Sequence, residues 1–92
     1  MEKYLIYATH LFRKLYSTLD GSEQLWIEKT KRQLEGYPTG KILYFEWFRE
    51  KKHLNKRLYF LIDKERKAIL LVAFASKKDQ TKVIAFIKAN SK

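Results

Sequence analysis

The segment that reads REKKHLNKRLYFLID, residues 49–63, is rich in side chains that bind polyanions. Five Lys or Arg residues and one His fall within its first nine positions. His53 could act as an acid or a base, because imidazole suits proton transfer at physiological pH, although a solvated loop His is the simpler alternative. Just upstream, Glu46 is a candidate general base, and an ion pair with Arg57 or Lys41 is its alternative role.

Two tyrosines near this segment could stack on nucleic-acid bases. Tyr44 and Tyr59 lie in predicted strands, where aromatic side chains serve packing just as readily. The chain has no Cys, no visible metal-ligand spacing, no Ser/His/Asp set, and only three scattered Gly. A thiolate site and a glycine-rich phosphate loop are therefore excluded, and we expect no metal and no cofactor.

Positive charge is concentrated in the second half of the chain. Residues 1–40 carry six Lys or Arg against five Asp or Glu, whereas residues 41–92 carry fourteen against five. The formal net charge is +10, and nearly all of the excess lies beyond residue 40. This asymmetry predicts a polyanionic partner, namely RNA, DNA, a membrane surface or an acidic protein.

The first forty residues predict one strand and two helices. The apolar run at 3–8 indicates a buried strand, and residues 10–19 have helical spacing that ends at Asp20. Ser22 is a suitable N-cap for a second helix that ends at Gly36. In that helix Trp26, Thr30 and Leu34 form one stripe, with Ile27 beside it.

From residue 41 the apolar period changes to two. Strands are predicted at 41–48, 57–62 and 68–75, with a basic loop between the first two and a hairpin at 63–67. The strand at 68–75 is apolar on both faces and should be central. A helix at 79–90 completes the order β-α-α-β-β-β-α. The prediction is one two-layer α+β domain, residues 1–92, with one sheet face partly open and rimmed by cations.

The order and several strings of this sequence resemble the RelE/ParE superfamily, the toxins of bacterial and archaeal type II toxin–antitoxin pairs, and its RelE- and HigB-like members in particular. The strings are GKILYFEWFRE, KRLYFLIDKERKAILLVAFASKK and the Lys-rich opening of the last helix. The pattern has an Arg at the start of an alternating strand and an Asp six residues later at a hairpin. An aliphatic strand follows, ending in Phe and then Lys-Lys. The resemblance implies a RelE-like fold, with an antiparallel-rich sheet and two N-terminal helices on one face.

Many toxins of this superfamily cut mRNA in the ribosomal decoding site. The 2′-OH attacks the adjacent phosphate, which requires a base, a cation and an acid. The resemblance implies that Arg57, Lys77 and Lys78 hold the phosphate. His53 and Glu46 are further catalytic candidates on the strength of their residue types alone. The resemblance also implies a wider set of RNA contacts from Lys41, Arg49, Lys51, Lys52, Lys56, Tyr59 and Lys82.

Four positions depart from the pattern of the superfamily. Phe48 stands where several relatives have Arg, Lys78 where RelE has Arg, Ile84 where RelE has Tyr, and Val72 where some relatives have His. Binding residues are thus matched better than acid–base residues. Two functions stay open: a ribosome-dependent mRNA endoribonuclease with a weakened catalytic set, or a non-enzymatic protein. The latter would be a ParE-like gyrase inhibitor or a decayed toxin that only binds its antitoxin.

The expected partners follow from the charge and the resemblance. They are a small, acidic cognate antitoxin, mRNA and the ribosome, all in the cytoplasm. The apolar run near the N-terminus is too short for a signal sequence or a membrane span, so no membrane partner is expected.

Overall fold

The computed structural model describes residues 3–43 and 45–90, which form one five-stranded sheet and three α-helices. The strand order is β1-β5-β4-β3-β2, with β1 parallel to β5 and the other neighbours antiparallel. The elements are β1 (Leu5–Ala8), α1 (His10–Tyr16), α2 (Gly21–Gly36), β2 (Lys41–Ile42), β3 (Phe48–His53), β4 (Lys56–Asp63), β5 (Ala68–Ser76), a 3₁₀ turn (Lys77–Asp79) and α3 (Gln80–Asn90).

Both N-terminal helices begin at side-chain caps. The Thr9 hydroxyl accepts a hydrogen bond from the Phe12 amide at 3.0 Å, which starts α1. Asp20, and not Ser22 as the sequence suggested, caps α2: its carboxylate accepts from the Glu23 amide at 2.8 Å. The Glu23 carboxylate accepts in return from the Asp20 amide, which completes a capping box. The Asp20 carboxylate accepts hydrogen bonds from both the Glu23 amide and the Ser22 hydroxyl. Asp20 is therefore the N-cap, and Ser22 lies within the first turn of the helix.

The basic segment is a strand and not a loop, and the strand predicted at 41–48 is only partly present: Lys41–Ile42 form the short β2, and the longer β3 begins at Phe48. Residues 48–53 pair antiparallel with β4, from Phe48 opposite Leu61 to His53 opposite Lys56. Only two residues connect these strands, and the first of them, Leu54, has a φ of 56°. Cross-strand hydrogen bonding therefore outweighs the local preference of a charged run for solvent, and the strand begins seven residues later than periodicity suggested.

The face of the sheet that carries α1 and α2, here called the α1–α2 face, contains the larger core. Phe12, Ile27 and Leu34 from the helices are buried against the strands. The strand contribution to this core is Leu58, Phe60, Ile62, Ile69, Leu71 and Phe74. The position of β5 between β1 and β4 confirms the prediction of a central strand, and the order of the longer elements confirms the α+β fold.

The opposite face, here called the α3 face, is half covered, which agrees with the prediction of a partly open face. Helix α3 packs Ile87 against Phe48 and Tyr59, and all three side chains are buried. Towards β1 the face stays exposed: Leu5 and Tyr7 are 60% and 54% accessible. Strand β1 is thus an edge strand with one exposed face and not the buried strand expected. The C-terminal helix covers the end of the face where the β3–β4 hairpin turns.

None of the helices in the described residues has the length and apolar character needed to cross a membrane.

Candidate nucleic-acid interface

The site forms where β3, β4 and the beginning of α3 meet. Arg57 lies near the start of β4, and its Nε is 3.4 Å from Oε2 of Glu50 on β3. The Gln80 side chain, at the start of α3, donates a hydrogen bond to the same carboxylate oxygen at 3.4 Å. Both side chains of the ion pair are nearly buried, with 12% of Arg57 and 8% of Glu50 exposed. The pair therefore fixes where the guanidinium lies.

The geometry of this ion pair leaves part of the guanidinium available. Contact with Glu50 is through Nε, and no residue of 3–43 or 45–90 accepts a hydrogen bond from Nη1 or Nη2 of Arg57. The two terminal amino groups form the fork that matches two oxygens of a phosphate or carboxylate. Arg57 is thus held by one edge, and its other edge can bind an anion.

Further cations surround this pair, because residues directly opposite each other on paired strands share a face. Lys41 pairs with Glu50, and Lys52 pairs with Arg57. Lys77 and Lys78 begin the 3₁₀ turn just beyond Ala75, the partner of Arg57 on β5. We call Lys41, Lys52, Lys77 and Lys78 the cationic cluster. All four side chains are exposed, and none forms an ion pair within the described part of the chain.

A tyrosine hydroxyl lies beneath the cationic cluster. Tyr59 pairs with Glu50 across the strands and is completely buried. Burial, followed by the charge of Glu50, raises the pKa of Tyr59 to about 12, while Arg57 opposes the shift and Asp79 adds to it. The phenol therefore stays protonated at physiological pH. Because its ring packs near Phe48 and under α3, Tyr59 cannot stack on a base, which corrects that expectation.

Three of the predicted RNA-binding cations are instead held by protein groups. Lys51 donates to Gln33 on α2 at 3.5 Å, and Lys56 is 2.7 Å from the Glu23 carboxylate. Arg49 donates to the Glu46 carbonyl oxygen at 2.7 Å. Lys82 lies exposed on α3, and Tyr44 lies outside the described residues.

The two acid–base candidates do not join Arg57. His53 lies in β3, not in a loop, and its ring stacks on Trp26 of α2 at 4.6 Å between centroids. Glu46 is exposed, and its carboxylate lies 3.7 Å from Nζ of Lys64. The alternative of a Glu46–Arg57 ion pair was wrong, since Arg57 pairs with Glu50. Catalytic roles for His53 and Glu46 stay predictions, but neither residue shares a cluster with Arg57.

Comparisons with solved structures identify this fold. A doubly substituted form of the E. coli toxin RelE in the free state has a TM-score of 0.77 at 12% identity, over 92% of this chain and 98% of that one. The intact E. coli RelBE toxin–antitoxin complex gives a TM-score of 0.72 at 13% identity, over 79% of this chain and 95% of that one. The Mycobacterium tuberculosis toxin–antitoxin complex RelBE2 gives a TM-score of 0.70 at 19% identity, over 82% of this chain and 99% of that one. The chain has the RelE fold.

This likeness is one of structure. No family model matches the sequence. No curated protein matches it either. The fold of this RelE-like chain is thus established by shape, while the features of its site follow from its own residues.

Sequence reasoning missed Glu50 as the ion-pair partner of Arg57 in this RelE-like chain. The predicted basic loop contains Glu50, and a lone carboxylate in a loop has no fixed partner. A two-residue hairpin connection at Leu54–Asn55 would place Glu50 opposite Tyr59 and diagonal to Arg57. The signal is present in the spacing, since Arg57 comes seven positions after Glu50.

A second feature of the α3 face is an apolar groove at the uncovered end of the sheet. Its volume is about 740 Å³, and its apolar lining includes Tyr7, Trp47, Leu61 and Leu70. We call it the sheet groove. Charged residues of the β4–β5 hairpin and Glu46 also line it. An exposed apolar surface rimmed by polar residues is found at protein interaction sites and at ligand-binding grooves.

No group of three or more His, Cys, Asp or Glu residues in the described ranges is arranged to hold a metal ion.

Proposed function

We propose that this protein is the toxin of a type II toxin–antitoxin pair and inhibits translation by cleaving ribosome-bound mRNA in the cytoplasm. The observation that carries the proposal is the free Nη1–Nη2 edge of Arg57 within the cationic cluster. The RelE fold supports it, because several structures of this fold are of toxins named RelE. The net charge of +10 provides the long-range attraction for RNA.

The proposed reaction is attack of a ribose 2′-oxygen on the adjacent phosphorus: the 2′-OH proton passes to water, the bond from phosphorus to the 5′-oxygen breaks, the 5′-oxygen takes up a proton from water, and a 2′,3′-cyclic phosphate forms. Arg57 would bind two non-bridging oxygens and stabilise the negative charge that develops on them. Glu50 would orient Arg57 through Nε. Lys77 and Lys78 would supply further charge and N–H donors near the leaving oxygen, and Lys41 and Lys52 would bind flanking phosphates.

The test removes Arg57 without leaving a buried carboxylate unpaired. Loss of one partner of a nearly buried ion pair destabilises a protein, whereas replacing both does so much less. We would therefore compare Glu50→Gln with Glu50→Gln/Arg57→Ala on purified translating ribosomes, mapping new mRNA 5′ ends. We expect Arg57→Ala to lower cleavage by about 10²-fold or more in this background. Arg57→Lys should recover only part of it, because an ammonium lacks the planar fork.

Arg66 provides a matched control, because it is an exposed Arg on the β4–β5 hairpin whose Nη1 lies 3.5 Å from Asp63. Arg66→Ala should leave cleavage unchanged. Equal activity of Glu50→Gln and its Arg57→Ala derivative would reject the assignment. Growth arrest without any new mRNA ends would favour the ParE-like alternative, in which the target is gyrase and no RNA is cut.

We further propose that the sheet groove binds the apolar side chains of an amphipathic segment of an acidic antitoxin. Structures of this fold include complexes of RelE-type toxins with antitoxins, among them a complex with an antitoxin peptide. The exposed Tyr7 and the apolar floor formed by Leu61 and Leu70 suit such a segment. The net charge of +10 favours an acidic partner over a neutral one.

Co-purification from the native source tests this partner. Recovery of a small acidic protein with the chain is expected, and Leu70→Asp should abolish it. Leu25→Asp is the matched control, because Leu25 is 68% exposed on α2, on the other side of the sheet. Loss of the partner in both variants, or in neither, would exclude the sheet groove as its binding site.

A further inference from the structure

One buried polar atom of the site has no partner. Among the buried side-chain nitrogen and oxygen atoms of residues 3–43 and 45–90, only the Tyr59 hydroxyl lacks a hydrogen bond. Burial of an unpaired hydroxyl is unfavourable, and Phe would fill nearly the same space without that cost. The hydroxyl therefore indicates a hydrogen-bond partner that the protein itself does not supply.

The surroundings of Tyr59 define the kind of partner. Its ring is fixed between the sheet and α3, beside Phe48 and Ile87. Tyr59 lies directly opposite Glu50 on the paired strand, and Arg57 lies two residues earlier on the same face of β4, so the hydroxyl belongs to the same charged cluster as the candidate phosphate-binding edge. The Glu50 carboxylate is already in contact with Arg57 and Gln80 and accepts no hydrogen bond from Tyr59.

The available chemistry is that of a neutral donor beside a guanidinium. Asp79 is directed elsewhere, since its carboxylate accepts from the Ser76 hydroxyl at 3.2 Å. A protonated phenol and the two terminal amino groups of Arg57 together provide hydrogen-bond donors for one anion. An oxyanion with several acceptor oxygens, such as a phosphodiester, matches this set.

Access to the hydroxyl requires one local movement. Gln80 reaches over the pair to Glu50 with a hydrogen bond of 3.4 Å, at the long end of the range for such bonds. A long, single hydrogen bond is a weak restraint on the half-buried Gln80 side chain at the start of the helix. Withdrawal of this side chain would open the space between Glu50, Arg57 and the beginning of α3.

We propose that the Tyr59 hydroxyl donates a hydrogen bond to a phosphate oxygen of bound RNA, next to Arg57, when the Gln80 side chain moves aside. This inference rests on the proposed function, since it assigns a further substrate-binding residue to the same site. The ring itself contributes packing and does not contact the bases.

The experiment measures binding without cleavage. A 2′-O-methylated single-stranded RNA oligonucleotide cannot react, so its affinity reports contacts only. Tyr59→Phe should weaken binding by about tenfold, the usual effect of losing one hydrogen bond to a charged acceptor. The slope of log K against log salt should not change, because no charge is removed. The melting temperature of Tyr59→Phe should be equal to or higher than that of the unaltered chain.

Two further variants complete the comparison. Tyr7→Phe, an exposed tyrosine on β1, is the matched control and should bind as the unaltered chain does. Gln80→Ala should bind as tightly or more tightly, because it removes the cover. In ¹³C NMR, inorganic phosphate should shift the Tyr59 Cζ resonance but not that of Tyr7.

The outcomes separate the two proposals. Unchanged affinity in Tyr59→Phe would overturn the inference. If that variant were also less stable, the hydroxyl would serve a buried water. Failure of the unaltered chain to bind RNA at all would overturn the proposed function, and the inference with it. RNA binding and cleavage that depend on Arg57 but not on Tyr59 would retain the proposed function alone.

Discussion

The β3–β4 hairpin has two faces that use the same residue types for different purposes. On the α1–α2 face Lys51, Lys56 and His53 contact α2 or the core, through Gln33, Glu23 and Trp26. On the α3 face Lys52 belongs to the cationic cluster and lies opposite Arg57. Among the described residues the only carboxylate that forms an ion pair with these side chains is Glu50, the partner of Arg57. Alternation along a strand thus divides one basic run into cations that hold the fold together and cations that remain for a ligand.

This difference explains why charge density alone is a poor guide to an interface. A Lys that pairs with a helix carboxylate and covers an aromatic ring stabilises packing, whatever the net charge of the segment. The electrostatic potential for RNA comes from the cations whose charge is not neutralised nearby. In the hairpin, strand position decides which cations these are.

The largest expected effect is on RNA affinity. Replacing the cationic cluster, Lys41, Lys52, Lys77 and Lys78, by Ala should weaken single-stranded RNA binding by about 10²-fold at physiological salt. The salt slope should fall by about 0.7 for each phosphate that the protein no longer neutralises, or roughly 3 in total. Fluorescence titrations at several salt concentrations measure both quantities.

The control for this prediction is the double variant Lys51→Ala/Lys56→Ala, which removes cations from the other face of the same hairpin. For each lysine removed, the salt slope of this control should change by less than about half of the change per lysine seen when the cationic cluster is replaced. An equal loss per lysine on both faces would contradict the division of the hairpin.

A second prediction concerns alkaline pH and the buried phenol on the α3 face. The folded state raises the pKa of Tyr59 from its ordinary value of 10.0 to about 12, so the folded protein holds this proton more tightly than the unfolded chain. The resulting stabilisation is complete below pH 10 and is lost as the pH rises from 10 to 12, by at most about 2 kcal/mol. Glu50, Arg57 and Asp79 are the charged groups that act on it.

Urea denaturation at several pH values measures this loss. The free energy of unfolding of the unaltered chain should fall more steeply between pH 10 and 12 than that of Tyr59→Phe. The difference isolates Tyr59 from the other tyrosines and the lysines that titrate in this range. Parallel curves would show that the phenol ionises equally in both states.

The sequence predicted the elements of the fold better than it predicted the site. Periodicity identified both N-terminal helices, the central β5 and the hairpin before it, because long apolar patterns survive tertiary packing. It placed the strand before β4 in the wrong residues, since FREKKH has no apolar alternation and is a strand only because β4 offers hydrogen bonds. Because of that error, Glu50 was not recognised as the partner of Arg57. It also assigned His53 to solvent, because Trp26, on which its ring stacks, lies far away in the sequence.

The site residues were predictable only as far as they depend on strand position. Arg57 was correctly expected on the side of β4 away from Leu58, Phe60 and Ile62, because alternation fixes that side. The interaction of Gln80 with Glu50 joins residues thirty positions apart, and it depends on where α3 lies on the sheet. No local pattern contains that information.

The smallest predicted effect tests the structural face of the hairpin by stability. Lys56 Nζ lies 2.7 Å from the Glu23 carboxylate and 5.3 Å from the centroid of the Phe74 ring, whereas Lys52 has no ion-pair partner in the described residues. A partly exposed ion pair and one cation–π interaction together stabilise by about 1 kcal/mol. Lys56→Ala should therefore lower the melting temperature by roughly 4–8 °C, and Lys52→Ala should change the stability by less than about 0.5 kcal/mol. Calorimetry of the two variants, which differ only in the face from which a lysine is removed, distinguishes these outcomes. Equal melting temperatures would mean that Lys56 does not hold α2 to the sheet, and the two faces would then differ in geometry but not in energy.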